Sequence, residues 1–185
     1  MVTTGLAHNR QLVETLHSGG VAVIRTDTLY GLVAQADNED ACNYVYVLKK
    51  RRPTKSCVIL IADPSDCYGD AKQLSYDISL IHDVPTSFLI SSSHAPSWLL
   101  CANDDLAYRV PADEGLRELL RQTGPLIAPS ANPEGAPPAR TISEAKAYFG
   151  DGIDIYVDGG EVPLGTKPSR LLRLHKDGSQ EWLRK

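Results

Sequence analysis

Lys49, Lys50, Arg51 and Arg52 set four cations in a row directly before Pro53, and the chain then enters the apolar run CVILIAD at 57–63. Cations in a last helical turn offset the carbonyl dipole by about 0.3–1 kcal/mol each, and a run of like charge commonly forms only a solvated face. A second use depends on where the helix stops. Lys50 and Arg52 diverge on an ideal helix and can converge on one ligand only where the chain unwinds into RPTKS. There, a lysine point charge beside an arginine fork suits phosphate oxygens. Neither GxGxxG nor GxxxxGK[ST] occurs in the chain, so a bound phosphate would have no glycine-rich cradle.

Three further stretches could carry chemistry. In RTDTLYG at 25–31, Thr26, Asp27 and Thr28 suit a local side-chain turn as well as they suit a small polar ligand held by hydroxyls, a carboxylate and Tyr30. In APSANPEGAPPART at 128–141, a rigid connection is the simplest use. In an extended segment, however, Ser130 and Asn132 would face one side, and Arg140 could reach the same place. YRVP at 108–111 puts Arg109 at a strand end, where a surface ion pair is the plain alternative. His8, His17, His82, His94 and His175 are scattered, and no Ser-His-Asp or metal pattern emerges.

The elements that must position these residues alternate in period along the chain. Helical spacing over 8–17 stops at Gly19-Gly20, and 21–24 reads as a buried strand, followed by a short extended piece at 32–36. Asp37 or Asn38 caps a helix running into the four cations. Strands are predicted at 57–63, 86–91, 106–110, 125–130 and 153–157, with weak helical character over 65–82 and an irregular crossing at 94–105. Helices are predicted at 114–122 and from the TISE capping box at 141–144 to Gly150. The segments SRLLRL and EWLRK close the chain as a hairpin about Asp177-Gly178. Strands alternating with helices, ending in a hairpin, predict an α/β fold on a mixed sheet.

Composition narrows the function. With 185 residues, 42% hydrophobic and 23% charged, the chain fits one soluble domain spanning 1–185. Its start has no export signal, and no apolar run is long enough for a membrane span. The four cysteines lack CxxC spacing, which predicts reduced thiols and a cytoplasmic setting. A net charge of −4 argues against coating nucleic acid broadly.

Taken in order, TDTLYGL, KRRP leading into VILIA, AYRVP, APSAN with GAPPART, DGG and KPS resemble the YrdC/TsaC family of L-threonylcarbamoyladenylate synthases. The ordered set is specific although no single motif is, and it covers the chain from about Leu12 to Arg184. The resemblance implies a twisted mixed β-sheet with flanking helices around a deep, positively charged cleft, in the short form without an additional C-terminal domain. It implies condensation of L-threonine, bicarbonate or CO₂ and ATP to threonylcarbamoyl-AMP and pyrophosphate, with Mg²⁺ on the phosphates. Downstream proteins would transfer the threonylcarbamoyl group to tRNA. By the match of motifs, Lys50, Arg52 and Ser56 would touch phosphates, with Lys50 and Arg52 catalytic. Asn132, Arg140 and Arg184 would complete ATP binding, and Thr28, Arg109, Ser130 and Ser169 would surround threonine.

Three segments differ from the family pattern: HDVP at 82–85 stands for WPGP, Arg25 for a proline before TDT, and PSR at 168–170 for PST. Two rival functions share the resemblance. One is a non-catalytic module binding double-stranded RNA or nucleotide, including direct tRNA contact. The other is a carbamoyl-phosphate-handling domain like that in hydrogenase-maturation carbamoyltransferases, whose acylphosphatase and zinc-finger segments are not seen here.

Overall fold

The computed structural model describes residues 2–6, 8–51, 56–80, 84–100 and 104–185. The elements are β1 (Val2–Thr4), α1 (Arg10–His17), β2 (Ala22–Arg25), β3 (Tyr30–Gln35), α2 (Glu39–Leu48), β4 (Val58–Leu60), α3 (Ala71–Leu80) and β5 (Thr86–Ser91). They continue with β6 (Asp105–Arg109), α4 (Glu114–Thr123), β7 (Leu126–Ile127), α5 (Ile142–Phe149), β8 (Ile155–Asp158), β9 (Arg170–Leu174) and β10 (Gln180–Arg184). The strands form one sheet in the order β1-β8-β2-β3-β7-β4-β6-β5-β9-β10. The predicted mixture holds: β4 pairs parallel with β6 and β5 with β9, while β2–β3, β5–β6 and the closing hairpin β9–β10 are antiparallel.

Period-two alternation explains why both faces of the central strands β2, β3 and β4 are dry. Ala22 and Ile24 of β2, Val33 of β3 and Leu60 of β4 join the core under α1 and α4, with Leu12, Leu16, Leu116, Leu119 and Leu120. The intervening Val23, Leu32, Ala34 and Ile59 face the other core, with Ala41, Cys42, Val45 and Tyr46 of α2 and Ile142, Ala145 and Phe149 of α5. Each fully buried leucine there contributes about 1.5–3 kcal/mol relative to exposure. The helices start on side-chain caps: Asn9 accepts the Leu12 N–H at 3.0 Å, Asn38 that of Ala41 at 2.9 Å and Asp113 that of Leu116 at 2.7 Å. Among the described residues no helix is long and apolar enough to cross a membrane.

Boundaries differ from the sequence pattern in instructive places. The strand predicted over 125–130 is regular only at Leu126 and Ile127 but stays paired beyond them: Ala128 donates to the Val58 carbonyl at 2.8 Å, Leu32 to that of Pro129 at 2.9 Å, and Ser130 bridges Gly31. The TISE box is half formed. Thr141 accepts the Glu144 N–H at 3.2 Å, while the Glu144 carboxylate takes the N–H of Arg140 at 2.7 Å rather than that of Thr141. Strand β1, unmarked in the sequence, adds an edge by pairing parallel to β8.

Candidate active site

Helix α2 ends before the cation run rather than within it. Lys49 is its C-terminal cap, Lys50 donates to the Val47 carbonyl at 2.9 Å, and Arg51 donates to that of Tyr46 at 3.0 Å. These two bonds are the Schellman closure, which needs a left-handed residue after the cap, and Lys50 supplies it with φ +52°. Three successive cations therefore diverge sharply. Lys49 turns inward and is only 3% exposed, Lys50 is exposed, and Arg51 lines a pocket.

That pocket, about 680 Å³, opens where the turn after β2, the stretch leading into β4 and strand β6 meet the 128–130 and 168–169 segments. Of the residues expected at a site, Thr28, Ser56, Arg109, Ser130, Ser169 and Arg184 all line it. Lys50, Asn132 and Arg140 lie outside its lining, and Arg52 lies outside the described residues, as do the first two residues of HDVP. The lining also carries Arg51 and Asp105, which the motif order did not single out.

The TDT segment forms the local side-chain turn. Thr26 Oγ1 donates to the Leu29 carbonyl at 2.8 Å and accepts the Thr28 N–H at 3.2 Å, so the hydroxyl shapes the local turn. The turn sets Thr28 on the pocket wall. Tyr30 is not a free ligand group. Its hydroxyl donates to the Gly160 carbonyl at 2.8 Å and accepts the Gly159 N–H at 3.0 Å, anchoring the DGG turn. Burial is the main cause of its raised pKa. Arg25, in place of the family's proline, donates to the Gly159 carbonyl at 2.8 Å. A Cβ on Gly159 would lie 2.5 Å from that of Arg25, so the turn needs glycine there for close approach.

Arg109 forms the most buried ion pair of the site. Its Nη2 stands 2.9 Å from Asp27 Oδ1, with the two side chains 6% and 8% exposed. The contact is electrostatic rather than an aligned hydrogen bond, because Asp27 Oδ1 and Arg109 Nε have no hydrogen-bond partner among the described residues. Burial pulls the guanidinium below its usual pKa, and Asp27 pushes it back up. Arg109 thus presents a desolvated cation in the pocket wall.

At the opposite side, Ser169 Oγ is 2.9 Å from Ser87 Oγ, and Arg184 Nε donates to the Ser169 carbonyl at 2.7 Å. The PSR variant therefore keeps its serine in the wall, fastened to β5 and to β10. Ser130 donates to Asn132 Oδ1 at 2.6 Å, while Asn132 Nδ2 donates to the carbonyls of Pro133 and Ala136 at 3.0 and 2.8 Å. These side chains meet each other, and the amide stiffens its own loop. Arg140 is committed outside the pocket, to Glu161 at 2.5 Å and to the Val162 carbonyl at 3.1 Å.

Comparison with known proteins agrees with this architecture. The Sua5_yciO_yrdC family model, described as "Telomere recombination", matches residues 14–185. A threonylcarbamoyl-AMP synthase of Marinobacter nauticus is 31% identical over 173 residues, covering 86% of this chain and 87% of its own. The structure of P. abyssi Sua5 complexed with L-threonine superposes with a TM-score of 0.87 at 23% identity, over 100% of this chain and 57% of that one. This chain thus spans little more than half the length of that Sua5. E. coli YciO superposes with a TM-score of 0.80 at 20% identity, over 100% of this chain and 94% of that one. The identity and coverage of these matches, with the family model spanning nearly the whole sequence, place this chain in the Sua5/YciO/YrdC family.

Proposed function

We propose that the chain is a threonylcarbamoyl-AMP synthase, a nucleotidyltransferase that condenses L-threonine, bicarbonate or CO₂ and ATP and releases pyrophosphate, supplying the threonylcarbamoyl group that downstream proteins place on tRNA. One observation carries this reading: Thr28, Ser56, Arg109, Ser130, Ser169 and Arg184, drawn from separate segments, line one pocket. Arg109, in the pocket wall, suits the threonine carboxylate, since a guanidinium recognises carboxylate with paired donors. Thr28, Ser130 and Ser169 supply hydroxyls around it, and Arg51, Ser56 and Arg184 supply donors for phosphate. Lys50 and Arg52 would join them from the loop after α2, and Asn132 and Arg140 would act from the rim.

In this mechanism the threonine nitrogen attacks CO₂ to give a carbamate, and a carbamate oxygen attacks the α-phosphorus as pyrophosphate leaves. No protein nucleophile takes part. The chain holds three reactants in line and places cations where phosphoryl charge grows. Mg²⁺ fits as an ion bound mainly to phosphate oxygens. Among the described residues no three His, Cys, Asp or Glu side chains gather, and Asp105 is the carboxylate of the lining. When bound, the ion would supply charge neutralisation along the phosphates.

The test is pyrophosphate release with each substrate omitted in turn. Release requiring ATP, threonine and bicarbonate together supports the synthase. ATP-independent, salt-sensitive binding of double-stranded RNA without turnover would replace it with the binding module, and turnover of carbamoyl phosphate with the carbamoyl-handling reading. Alanine at Thr28 or Ser169 is expected to raise the threonine KM by about tenfold or more, one lost hydrogen bond to a charged group, and to move the ATP KM less. The reverse pattern would show that the two ends of the pocket are exchanged.

A further inference from the structure

Lys49 is a buried cation that the proposed chemistry does not use. Its Nζ donates to the carbonyls of Ser130 and Asn132, at 2.5 and 2.7 Å, and its own carbonyl accepts the Glu134 N–H at 2.8 Å. Three bonds therefore staple the end of α2 to the 130–134 segment. No carboxylate forms an ion pair with Lys49 among the described residues, so its charge is met by peptide dipoles. A buried ammonium is costly, and an apolar side chain would fill the same space at lower cost.

We propose that Lys49 is a positioning residue that locks the segment 130–134 to the C-terminal end of α2, so that the two stretches flanking the nucleotide keep one geometry. The nucleotide part rests on the synthase reading; the lock itself does not. On one side of the lock are Lys50 and Arg51, and on the other Ser130 and Asn132. Movement of either stretch would separate groups expected to act on the same molecule.

The charge state of Lys49 makes the lock separable from ordinary stability. Burial brings its pKa down to about 8, with Arg51 acting in the same direction, while Cys57 and Glu134 oppose it. Among the described residues those are the charged and titratable groups that act on it, from its own loop, from the stretch before β4 and from the 130–134 segment. Above pH 8 the folded protein gives up this proton while the unfolded chain, near 10.5, still holds it. The unfolded state then binds more protons, and between about pH 8 and 10.5 this group raises stability with pH. The same deprotonation turns two charge-assisted bonds into weaker neutral ones. Stability and loop positioning should therefore move in opposite directions, which a merely structural lysine would not produce.

The experiment compares wild type with Lys49→Met, Lys49→Gln and Lys49→Arg. Amide hydrogen exchange at constant pH reads the lock, and calorimetric binding of ATP without threonine or bicarbonate reads its consequence. Lys49→Met is expected to lose roughly tenfold in protection at the Ala131 and Glu134 amides and roughly tenfold in ATP affinity. Lys49→Gln, which keeps neutral donors, serves if the methionine variant does not fold, and its losses should be smaller but in the same direction. From pH 7 to 9.5 wild type should lose ATP affinity while its chemical-denaturation midpoint rises relative to that of Lys49→Arg; Lys49→Arg, still charged, should hold its affinity across the range. Unchanged amide protection in both the methionine and glutamine variants would overturn the lock. Parallel changes of affinity and stability with pH would overturn its positioning role. Wild type that binds no ATP at all would defeat the synthase reading, while the exchange comparison would still decide for or against the lock.

Discussion

Alanine in place of Asp27 is expected to destabilise the protein by about 3–5 kcal/mol, because it leaves the Arg109 cation buried without its counter-charge. Both side chains are less than a tenth exposed and stand 2.9 Å apart, so solvent cannot take over the role of the lost carboxylate. Arg109→Met should cost less, since removing the cation leaves a carboxylate that can be protonated. The double variant Asp27→Ala with Arg109→Met should recover much of the loss, as replacement of whole buried ion pairs by apolar groups is often close to neutral. Its activity should nevertheless stay absent if Arg109 holds the threonine carboxylate. Urea unfolding of the four proteins, with equal m-values, gives the coupling directly. A loss below about 1 kcal/mol for Asp27→Ala would mean that the pair is screened like one on the surface. Restored threonine-dependent turnover in the double variant would remove Arg109 from the threonine site.

Asp27 and Arg109 also mark the limit of what the sequence discloses. Local patterns showed a turn at 26–28 and a strand ending near 109, and the order of motifs led to the pocket residues Thr28, Ser130, Ser169 and Arg184. The pairing itself arises from the sheet, which brings the end of β6 beside the turn after β2 although the two are far apart in the chain. Four adjacent cations could not be told apart by composition. The Schellman closure at Tyr46 and Val47 sends Lys49 inward, Lys50 outward and Arg51 to the pocket. Pro53 signalled that the helix must end, but hydrogen bonding to the last carbonyls ends it at Leu48, several residues earlier. The partner that Arg140 takes, Glu161, was not legible because it lies beyond the next helix and strand. Apolar periodicity, in contrast, marked both faces of the sheet, since burial on two sides leaves a nearly unbroken apolar run that sequence alone reveals.

Lys50→Gly is expected to make the protein more stable and the reaction slower. At φ +52° Lys50 occupies the left-handed position that closes α2, where a Cβ costs roughly 1–2 kcal/mol and glycine costs little. Glycine gives back part of that gain through its greater freedom in the unfolded chain, leaving about 1 kcal/mol, or about 2–4 °C in Tm for a chain of this size. A strained lysine on an exposed helix end has no packing reason to persist, and a role for its ammonium in binding phosphate supplies one. Removing a cation aimed at transition-state charge should lower the rate of pyrophosphate release by roughly 10²–10³, as loss of an oxyanion donor does. Lys50→Ala separates the two effects: it removes the same ammonium while keeping a Cβ at the left-handed position, so it should lose the rate without gaining the stability. Thermal unfolding and pyrophosphate release measured on both variants check this directly. Full turnover in Lys50→Gly would take Lys50 out of the phosphate site, and the loop after α2 would then act on phosphate through Arg51 and Arg52 alone.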